Sequence, residues 1–288
     1  MSLSRQLLLT IGETGNKEGQ LKEPCGLTAW TNGEVVVADR GNSRIQVFDR
    51  HGHYKYHFTY NDFKRPFDPI DVAITRDDSI MVTDYSNCKI VVFDRNGQMI
   101  DQVGHQEIHG PWGITVKEDG SFYVVDRDFK SVVFYDMYGT HMNTIGGPGK
   151  ETGDLRFPLY AATSQDGNCV YVTDSIGQAV KVYDSHGTYM HQLSVRGQKE
   201  GQIFWPTGVA VDRKGNVIVA EFQDVFGGGC NRLQRFQPDG VFVDRIDDKG
   251  NLSHPLGLAV SSPLGNTQRL YVSDWGHDLI KVYQIYIS

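Results

Sequence analysis

Six acidic residues recur along the 288-residue chain, each at the end of a run of apolar residues. They are Asp39, Asp84, Asp126, Asp174, Glu221 and Asp274. If their carboxylates faced one channel, they would offer the oxygen ligands that a hard cation such as Ca²⁺ takes. One acid in each copy of a repeat is more simply explained by turn capping, because Asp and Glu accept hydrogen bonds from nearby backbone N–H groups. We therefore predict neither a metal site nor a cofactor.

The sequence lacks the motifs of other catalytic sites. The ten histidines do not occupy matching positions in the repeat, and no GxSxG, HExxH or phosphate-binding loop is present. A hydrolase or lyase with a metal in a central channel is accordingly the third of three hypotheses. We predict that this chain is not an enzyme.

The elements that would position the acids come from a repeat of about 45 residues. Its most regular motif is a proline, one variable residue, usually a glycine, and then small or apolar residues. The six copies begin at Pro24, Pro69, Pro111, Pro158, Pro206 and Pro255. A period of this length that contains four strands is typical of a β-propeller.

The first copy shows how each period divides into strands. Its strand-like segments are Leu27–Trp30, Val35–Asp39, Ile45–Asp49 and Tyr54–Tyr60. The pair Asn32-Gly33 separates the first two segments and favours a tight hairpin turn, because glycine tolerates a positive φ. The second segment is apolar without alternation, which predicts a strand that is buried on both faces between stacked blades.

Closure of the ring is predicted from the two ends of the sequence. The sixth copy stops after Ile280–Tyr286 without a fourth strand, while Leu7–Ile11 precedes the first copy as a strand without a blade. We expect this N-terminal strand to complete the last blade, because pairing removes two exposed strand edges. Residues 7–288 are then expected to be one domain, and residues 1–6 to be linker or cloning-derived residues.

These copies resemble the NHL repeat. The similarity rests on Gly19-Gln20-Leu21, Pro24-x-Gly26, Val35–Asp39 and Asn42-x-Arg44-Ile45, and it extends over nearly the whole chain. It implies an all-β fold, a six-bladed β-propeller of NHL repeats with four antiparallel strands per blade. Among NHL proteins the chain looks most like the C-terminal domain of the TRIM-NHL group, in which the propeller recruits protein substrates or RNA. A ubiquitin-ligase RING domain is then expected upstream of this chain.

Antiparallel strand order places one set of variable positions at a single mouth of the channel. The residue after each strand-end acid, the residue between proline and glycine, and the loop into the third strand all fall on this face. The candidates for binding a protein or RNA are Arg40, Arg44, Asp71, Tyr85, Lys89, Trp112, Arg127, Phe129, Lys130, Tyr160, Phe222 and Trp275. We interpret them as aromatic anchors beside a one-sided basic arc from blades one to three.

Other interpretations of these residues stay open from the sequence. The aromatic side chains are equally compatible with packing between blades, and the stems of Arg44 and Lys89 with covering apolar surface. The Phe222–Arg232 segment is an insertion in the fifth copy. It fits either a loop that reaches across a ligand or a tolerated surface insertion.

Two functional hypotheses follow. The first is recruitment of protein substrates or cofactors to a ubiquitin ligase, and the second is single-stranded RNA binding in translational repression. A net charge of −7 favours the first, because nonspecific RNA affinity depends on Lys and Arg contacts to phosphates. The aromatic ring with Arg40 and Arg127 supports the second.

Composition sets the expected environment of the protein. No stretch approaches the roughly 18 consecutive apolar residues of a membrane span, and the four cysteines show no CxxC spacing. We expect a cytoplasmic, monomeric propeller with reduced thiols and no membrane contact.

Overall fold

The computed structural model describes residues 6–61, 65–104, 108–149, 151–223, 227–247, 250–262 and 264–286. These residues form six four-stranded antiparallel sheets, which surround a central channel with the first strand of each sheet innermost. The fold is an all-β, six-bladed β-propeller, as predicted. None of the helical segments among the described residues has the length and apolar character needed to cross a membrane.

The blades are numbered in chain order. Blade one consists of β2 (Pro24–Ala29), β3 (Val35–Asp39), β4 (Arg44–Phe48) and β5 (Tyr54–Phe58), and blade two of β6 (Pro69–Ile74), β7 (Ile80–Asp84), β8 (Lys89–Phe93) and β9 (Met99–Val103). Blade three consists of β10 (Pro111–Val116), β11 (Phe122–Asp126), β12 (Ser131–Tyr135) and β13 (His141–Gly146), and blade four of β14 (Pro158–Thr163), β15 (Cys169–Asp174), β16 (Ala179–Asp184) and β17 (Tyr189–Gln192). Blade five consists of β18 (Pro206–Val211), β19 (Val217–Gln223), β20 (Gly229–Phe236) and β21 (Phe242–Arg245), and blade six of β22 (Pro255–Val260), β23 (Thr267–Asp274), β24 (Leu279–Tyr286) and β1 (Gln6–Ile11). Two short 3₁₀ turns, Arg40–Asn42 and Trp275–His277, follow the second strands of blades one and six.

The N-terminal strand completes blade six, which confirms the predicted closure. β1 pairs antiparallel with β24, with Leu9 opposite Val282 and Ile11 opposite Ile280. Ile11 is buried in the same apolar cluster as Tyr271 of β23. The two ends of the chain are therefore joined by backbone hydrogen bonds and by packing, and the ring is closed within this blade.

Apolar side chains from the second strands hold neighbouring blades together. Every residue of β3 and β7 is buried, so both faces of these strands are covered, as predicted. Val36 of blade one shares a cluster with Val82 and Phe93 of blade two. Burial of each such side chain stabilises the fold by about 1.5–3 kcal/mol relative to exposure.

Close approach of the innermost strands explains the glycine of the Pro-x-Gly motif. A Cβ on Gly208 would lie 2.1 Å from the backbone oxygen of Leu256, which is far inside van der Waals contact. Blades two and four instead carry Asp71 and Tyr160 at this position, and both side chains line the channel.

Each first strand begins with a β-bulge. In blade three, Pro111 pairs with Asp126 but Ile114 pairs with Val124, so the first strand holds one extra residue. The same shift occurs in the other five blades. First strands therefore start at the proline, three residues earlier than the sequence segments suggested. Because bulges re-aim side chains, the residue after the proline, such as Trp112, faces the mouth of the channel.

The strand-end acids cap the crossover loops, which confirms the capping interpretation. All six are fully buried, and each accepts a backbone N–H from the loop that leads into its own blade. In blade four, Asp174 accepts from the N–H groups of Phe157 at 2.8 Å and Gly177 at 3.1 Å, and Lys181 Nζ lies 3.6 Å away. The carboxylate ties the loop before β14 to the turn after β15.

Replacing Asp174 with alanine would leave the backbone N–H groups of Arg156, Phe157 and Gly177 without this acceptor and Lys181 without its carboxylate partner. Because each buried unsatisfied polar group costs about 1–3 kcal/mol, we expect Asp174→Ala to lower the free energy of unfolding by about 3 kcal/mol or more. Urea denaturation followed by circular dichroism measures this change. The control is Asp101→Ala on exposed β9, for which we expect a change below about 0.5 kcal/mol. Equal losses in the two variants would contradict the capping role.

Candidate recognition site at the channel mouth

A cavity of about 400 Å³ opens at the end of the channel where the first strands begin, and we call it the mouth pocket. Its lining residues are Cys25, Arg40, Trp112, Arg127, Phe157, Leu159, Ser175, Ile176, Trp205, Thr207, Phe222, His254, Leu256 and Trp275. The sequence-predicted residues that the structure brings together here are Arg40, Trp112, Arg127, Phe222 and Trp275.

Two repeat positions supply much of the pocket wall: the residue before each proline and the residue after each strand-end acid. Backbone hydrogen bonds join these positions within a blade. The N–H of Ser175 donates to the Phe157 oxygen at 2.9 Å, and that of Phe222 to the Trp205 oxygen at 3.2 Å. The neighbouring acid is buried and accepts backbone N–H groups of the crossover loop. These hydrogen bonds hold the loops that carry the pocket side chains in place around the mouth.

Blades five and six form an aromatic wall. The ring centroids of Trp205 and Phe222 are 5.7 Å apart, those of Phe222 and His254 6.0 Å, and those of His254 and Trp275 5.7 Å. These separations are typical of favourable aromatic pairs. All four residues remain partly exposed, so their rings both pack on each other and face the pocket.

Two arginines, from blades one and three, lie close to the ring of Trp112. The guanidinium carbon of Arg127 is 4.1 Å from the Trp112 ring centroid, 4.4 Å from that of Tyr85 and 5.4 Å from that of Phe157. The Arg40 guanidinium is 5.6 Å from the Trp112 ring. Tyr85 is therefore part of the support of Arg127, to which its hydroxyl is hydrogen-bonded, and not of the pocket lining.

Carboxylates reduce the positive charge of this wall. Arg40 Nε lies 2.8 Å from Asp68 Oδ1, and Arg127 Nε lies 3.5 Å from Asp128 Oδ1. The Tyr85 hydroxyl lies 3.2 Å from both carboxylate oxygens of Asp128. The basic arc expected from the sequence is consequently interrupted by acidic partners.

Arg44 and Lys89 do not face a ligand, which corrects the sequence-based interpretation. Arg44 is 8% exposed and Lys89 is 3% exposed. Arg44 Nε donates to Asp39 Oδ2 at 2.7 Å, and Nη2 donates to the loop carbonyls of Lys17 and Gln20. Lys89 Nζ donates to the Tyr60 hydroxyl at 3.1 Å and to Gln102 Oε1 at 3.2 Å. Both cations are engaged inside their blades because their positions lie opposite the buried strand-end acid.

Asp71 and Tyr160 line the channel, in a separate cavity of about 340 Å³, and not the mouth pocket. The Asp71 carboxylate accepts from the N–H groups of Val72 and of Ile114 in the next blade, both at 2.9 Å. Burial raises the pKa of Asp71 to about 7, against the opposing effect of these hydrogen bonds. Burial also raises the pKa of the Tyr160 phenol. Asp71 and Tyr160, which stand where the other four blades have glycine, therefore add a carboxyl group and a phenol to the channel wall.

Phe129 and Lys130 lie outside the mouth pocket, on the turn that follows β11. Phe129 is 54% exposed and stacks on His109 with ring centroids 3.9 Å apart. Lys130 is exposed and has a positive φ of 56°. These two residues present a flat ring and a cation to solvent beside blade three.

Three further aromatic residues that were not predicted from the sequence line the pocket: Phe157, Trp205 and His254. Each directly precedes the proline of its copy, in blades four, five and six. The sequence does contain a signal for this position: it is aromatic in blades four to six but not in blades one to three. It was missed because only the crossover hydrogen bonds show that this position adjoins the one after the acid.

The insertion in blade five lengthens a hairpin beside the aromatic wall. β19 and β20 continue past the strand-end acid, with Gln223 opposite Gly229. Residues 224–226 of the predicted Phe222–Arg232 insertion lie outside the described residues. On the returning strand, Asn231 Oδ1 accepts from the backbone N–H of His254 at 3.1 Å. The described part of the insertion therefore supports the pocket wall.

The lining of the mouth pocket is suited to noncovalent binding. Burial raises the pKa of the Cys25 thiol to about 12, so the nucleophilic thiolate is disfavoured. Within the described residues, no three His, Cys, Asp or Glu side chains are grouped closely enough to hold a metal ion. The pocket offers aromatic faces to apolar groups and guanidinium N–H groups to a hydrogen-bond acceptor.

Family models match two parts of the chain. The NHL repeat model matches residues 21–48. The model of the SMP-30/Gluconolactonase/LRE-like region matches residues 115–256. Both matches fall on the repeats that form the blades.

Curated relatives share the repeat region. Protein brain tumor of Drosophila melanogaster is 28% identical over 141 residues, which cover 47% of this chain and 14% of the relative. B-box type zinc finger protein ncl-1 of Caenorhabditis elegans is 30% identical over 133 residues, which cover 45% of this chain and 16% of the relative. Human E3 ubiquitin-protein ligase TRIM32 is 48% identical over 48 residues, which cover 17% of this chain and 7% of the relative. The matched segments thus span only a small part of each relative's length.

Solved structures share the architecture. A catalytically inactive virginiamycin B lyase from Staphylococcus aureus has a TM-score of 0.69 at 13% identity, with 98% of this chain and 100% of that chain covered. A gluconolactonase from Xanthomonas campestris has a TM-score of 0.70 at 15% identity, with 97% of each chain covered. At such low identity the likeness shows the fold alone.

Fold and pocket together define a six-bladed β-propeller with an aromatic-lined channel mouth. Residues 21–48 match the NHL repeat model, and the chain resembles the C-terminal NHL domains of TRIM-NHL proteins.

Asp71 makes the stability of the propeller pH-dependent. Its pKa is about 7 in the folded chain and 3.8 in the unfolded reference, so the folded state binds the proton more tightly. The free energy of unfolding is therefore expected to fall between about pH 4 and pH 7, by roughly 1 kcal/mol per pH unit from this group. Asp71→Gly, the residue of four other copies, should remove this part of the slope. Parallel stability curves for wild type and variant would contradict the assignment.

Proposed function

We propose that this chain is the recognition domain of a TRIM-NHL-type protein and that it recruits protein substrates or cofactors to a ubiquitin ligase through the mouth pocket. The observation that carries the proposal is the pocket itself, in which the partly exposed rings of Trp205, Phe222 and Trp275 face the ordered guanidinium of Arg127. Aromatic and arginine side chains of this kind are the residues that dominate protein–protein binding energy. The ligase connection rests on relatives that are named E3 ubiquitin-protein ligases.

Binding without catalysis is favoured by the chemistry of the lining. Apart from aromatic and aliphatic side chains, the pocket contains the hydroxyls of Ser175 and Thr207, arginines with ion-pair partners, and a thiol whose pKa is raised to about 12. None of these groups is an activated nucleophile, which would need a lowered pKa or an adjacent general base. The lyase and lactonase activities of structural neighbours are properties of those proteins, whose identity to this chain is below 25%.

Single-stranded RNA binding is the second candidate, and one observation favours it. Phe129 is 54% exposed and stacked on His109, with the exposed Lys130 next to it, which suits a stacked base and its phosphate. The acidic partners of Arg40 and Arg127 weigh against this candidate, because they compete with phosphates for the guanidinium groups.

A random 12-residue peptide library displayed on phage tests the proposal. We expect the immobilised domain to enrich peptides with apolar side chains, because these fill the mouth pocket. Phe222→Ala and Trp205→Ala should each weaken the enriched peptides at least about tenfold, as expected for loss of an aromatic anchor. Fluorescence anisotropy of labelled peptides measures the affinities, and thermal denaturation shows that each variant is folded.

Met190→Ala is the control, because Met190 is 51% exposed on the outer strand β17, away from the mouth. Its affinities should equal those of the wild type. Enriched peptides that bind the pocket variants and the wild type equally would overturn the proposal. So would the absence of enriched peptides combined with binding of a 12-nucleotide RNA that weakens steeply with salt, which would favour RNA recognition.

A further inference from the structure

We propose that the mouth pocket selects a partner segment in which an aromatic or branched aliphatic side chain is directly adjacent to an acidic residue. This inference rests on the proposed function and names the chemistry of its ligand. The apolar side chain enters the pocket, and the carboxylate of the acidic side chain binds Arg127.

Arg127 is packed against aromatic rings in the absence of a ligand. Its guanidinium lies against the rings of Trp112 at 4.1 Å, Tyr85 at 4.4 Å and Phe157 at 5.4 Å. Its side chain is only 18% exposed. A long side chain that is already immobilised loses little conformational entropy on binding. The guanidinium is consequently a fixed, pre-oriented group at the pocket wall.

Most N–H groups of the Arg127 guanidinium have no hydrogen-bond acceptor among the described residues. A guanidinium carries five N–H donors. Among the described residues, the Arg127 side chain makes one hydrogen bond, to the Tyr85 hydroxyl, and its carboxylate neighbour Asp128 is 3.5 Å from Nε and 47% exposed. A planar carboxylate from a partner matches the fork of unused N–H groups.

Arg232 of blade five shows what a purely structural arginine looks like in this fold. It is 2% exposed, and it donates to both carboxylate oxygens of Glu221 at 2.9 Å. Its N–H groups also donate to the carbonyls of Gln198 at 2.7 Å and Gln202 at 2.8 Å. Arg127 has no comparable set of hydrogen-bond acceptors among the described residues, although its guanidinium lies over three aromatic rings, which points to an acceptor on a ligand.

A cationic ligand does not fit the same pocket. Aromatic cages bind ammonium groups through the faces of their rings. Here the guanidinium of Arg127 already covers the ring faces of Trp112 and Tyr85, and that of Arg40 lies 5.6 Å from Trp112. A further cation would be repelled by both arginines, whereas an anion complements them.

The apolar part of the ligand is fitted by the rest of the lining. Leu159, Thr207 and Leu256 come from the bulges at the starts of three inner strands. They line the same pocket as the aromatic wall of blades five and six. Ile176 adds an exposed aliphatic surface. A cavity of about 400 Å³ has room for one large side chain and part of its neighbours. Arg127 directly follows β11 at the mouth, so the acidic residue binds where the segment enters.

Matched hexapeptides test this inference. The probes are acetyl-Gly-Ser-Phe-Glu-Ser-Gly-amide and its counterparts with Gln or Lys in place of Glu. Three of the four tryptophans line the pocket, so tryptophan fluorescence reports binding. We expect the Glu peptide to bind at least about tenfold more tightly than the Gln and Lys peptides, as a charge-assisted hydrogen bond predicts.

Arg127→Gln should abolish the preference for Glu over Gln, and Arg127→Lys should retain part of it, because the charge is kept without the planar fork. Lys130→Gln is the matched control, since it removes an exposed cation from the same turn, and its preference should equal that of the wild type. Thermal denaturation establishes that each variant folds.

Equal affinities of the three peptides for the wild type would overturn the inference but leave the proposed function standing if library peptides still bind the pocket. A preference for Glu that survives Arg127→Gln would overturn it as well. Binding of a peptide that ends in Phe with a free C-terminal carboxylate, without binding of the amidated Glu hexapeptide, would overturn the assignment of the carboxylate to an acidic side chain. Failure of both the hexapeptides and the library would overturn the proposed function itself.

Discussion

The carboxylate at the end of each second strand is the interaction on which the mouth of this propeller depends. It is fully buried in all six blades, and it accepts backbone N–H groups of the incoming crossover loop. A buried charge is tolerated only when it is hydrogen-bonded or paired, so removal of one partner disturbs the whole junction. The constraint fixes the backbone on both sides of the acid and leaves the adjacent side chains free to vary.

That freedom produces the chemical difference between the two sides of the ring. Positions next to the capped junction carry Arg40 and Arg127 in blades one and three, and Trp205, Phe222 and Trp275 in blades five and six. Variation at these positions between the six blades has little effect on the stability of the fold, because none of these residues stands in place of a capping acid or a glycine of the innermost strands. Asp71 and Tyr160 are the exceptions, since they do replace that glycine, and burial raises the pKa of Asp71 to about 7.

The sequence was sufficient to predict the ring, the closing strand and the capping acids, because the repeat shows these features in six copies or at the two chain ends. It was also sufficient to find Trp112, Phe222 and Trp275, which break the repeat. It misjudged Arg44 and Lys89, although strand register places them opposite Asp39 and Asp84. Arg40, which follows the strand-end acid of blade one, pairs with Asp68, which precedes the proline of blade two. Because the two residues occupy different positions of the repeat, aligning the six copies does not reveal this pair.

We infer that side chains at the capped junctions form the binding site. Labelling with 5-fluorotryptophan and ¹⁹F NMR tests it most directly, because the chain has four tryptophans and three of them, Trp112, Trp205 and Trp275, line the mouth pocket. Trp30 is buried in the core of blades one and two, beside the hairpin turn at the opposite end of the channel. On saturation with a library-selected peptide, we expect the three pocket resonances to shift and the Trp30 resonance to stay unchanged. A shift of Trp30 alone, or no shift of any resonance by a saturating peptide, would contradict it.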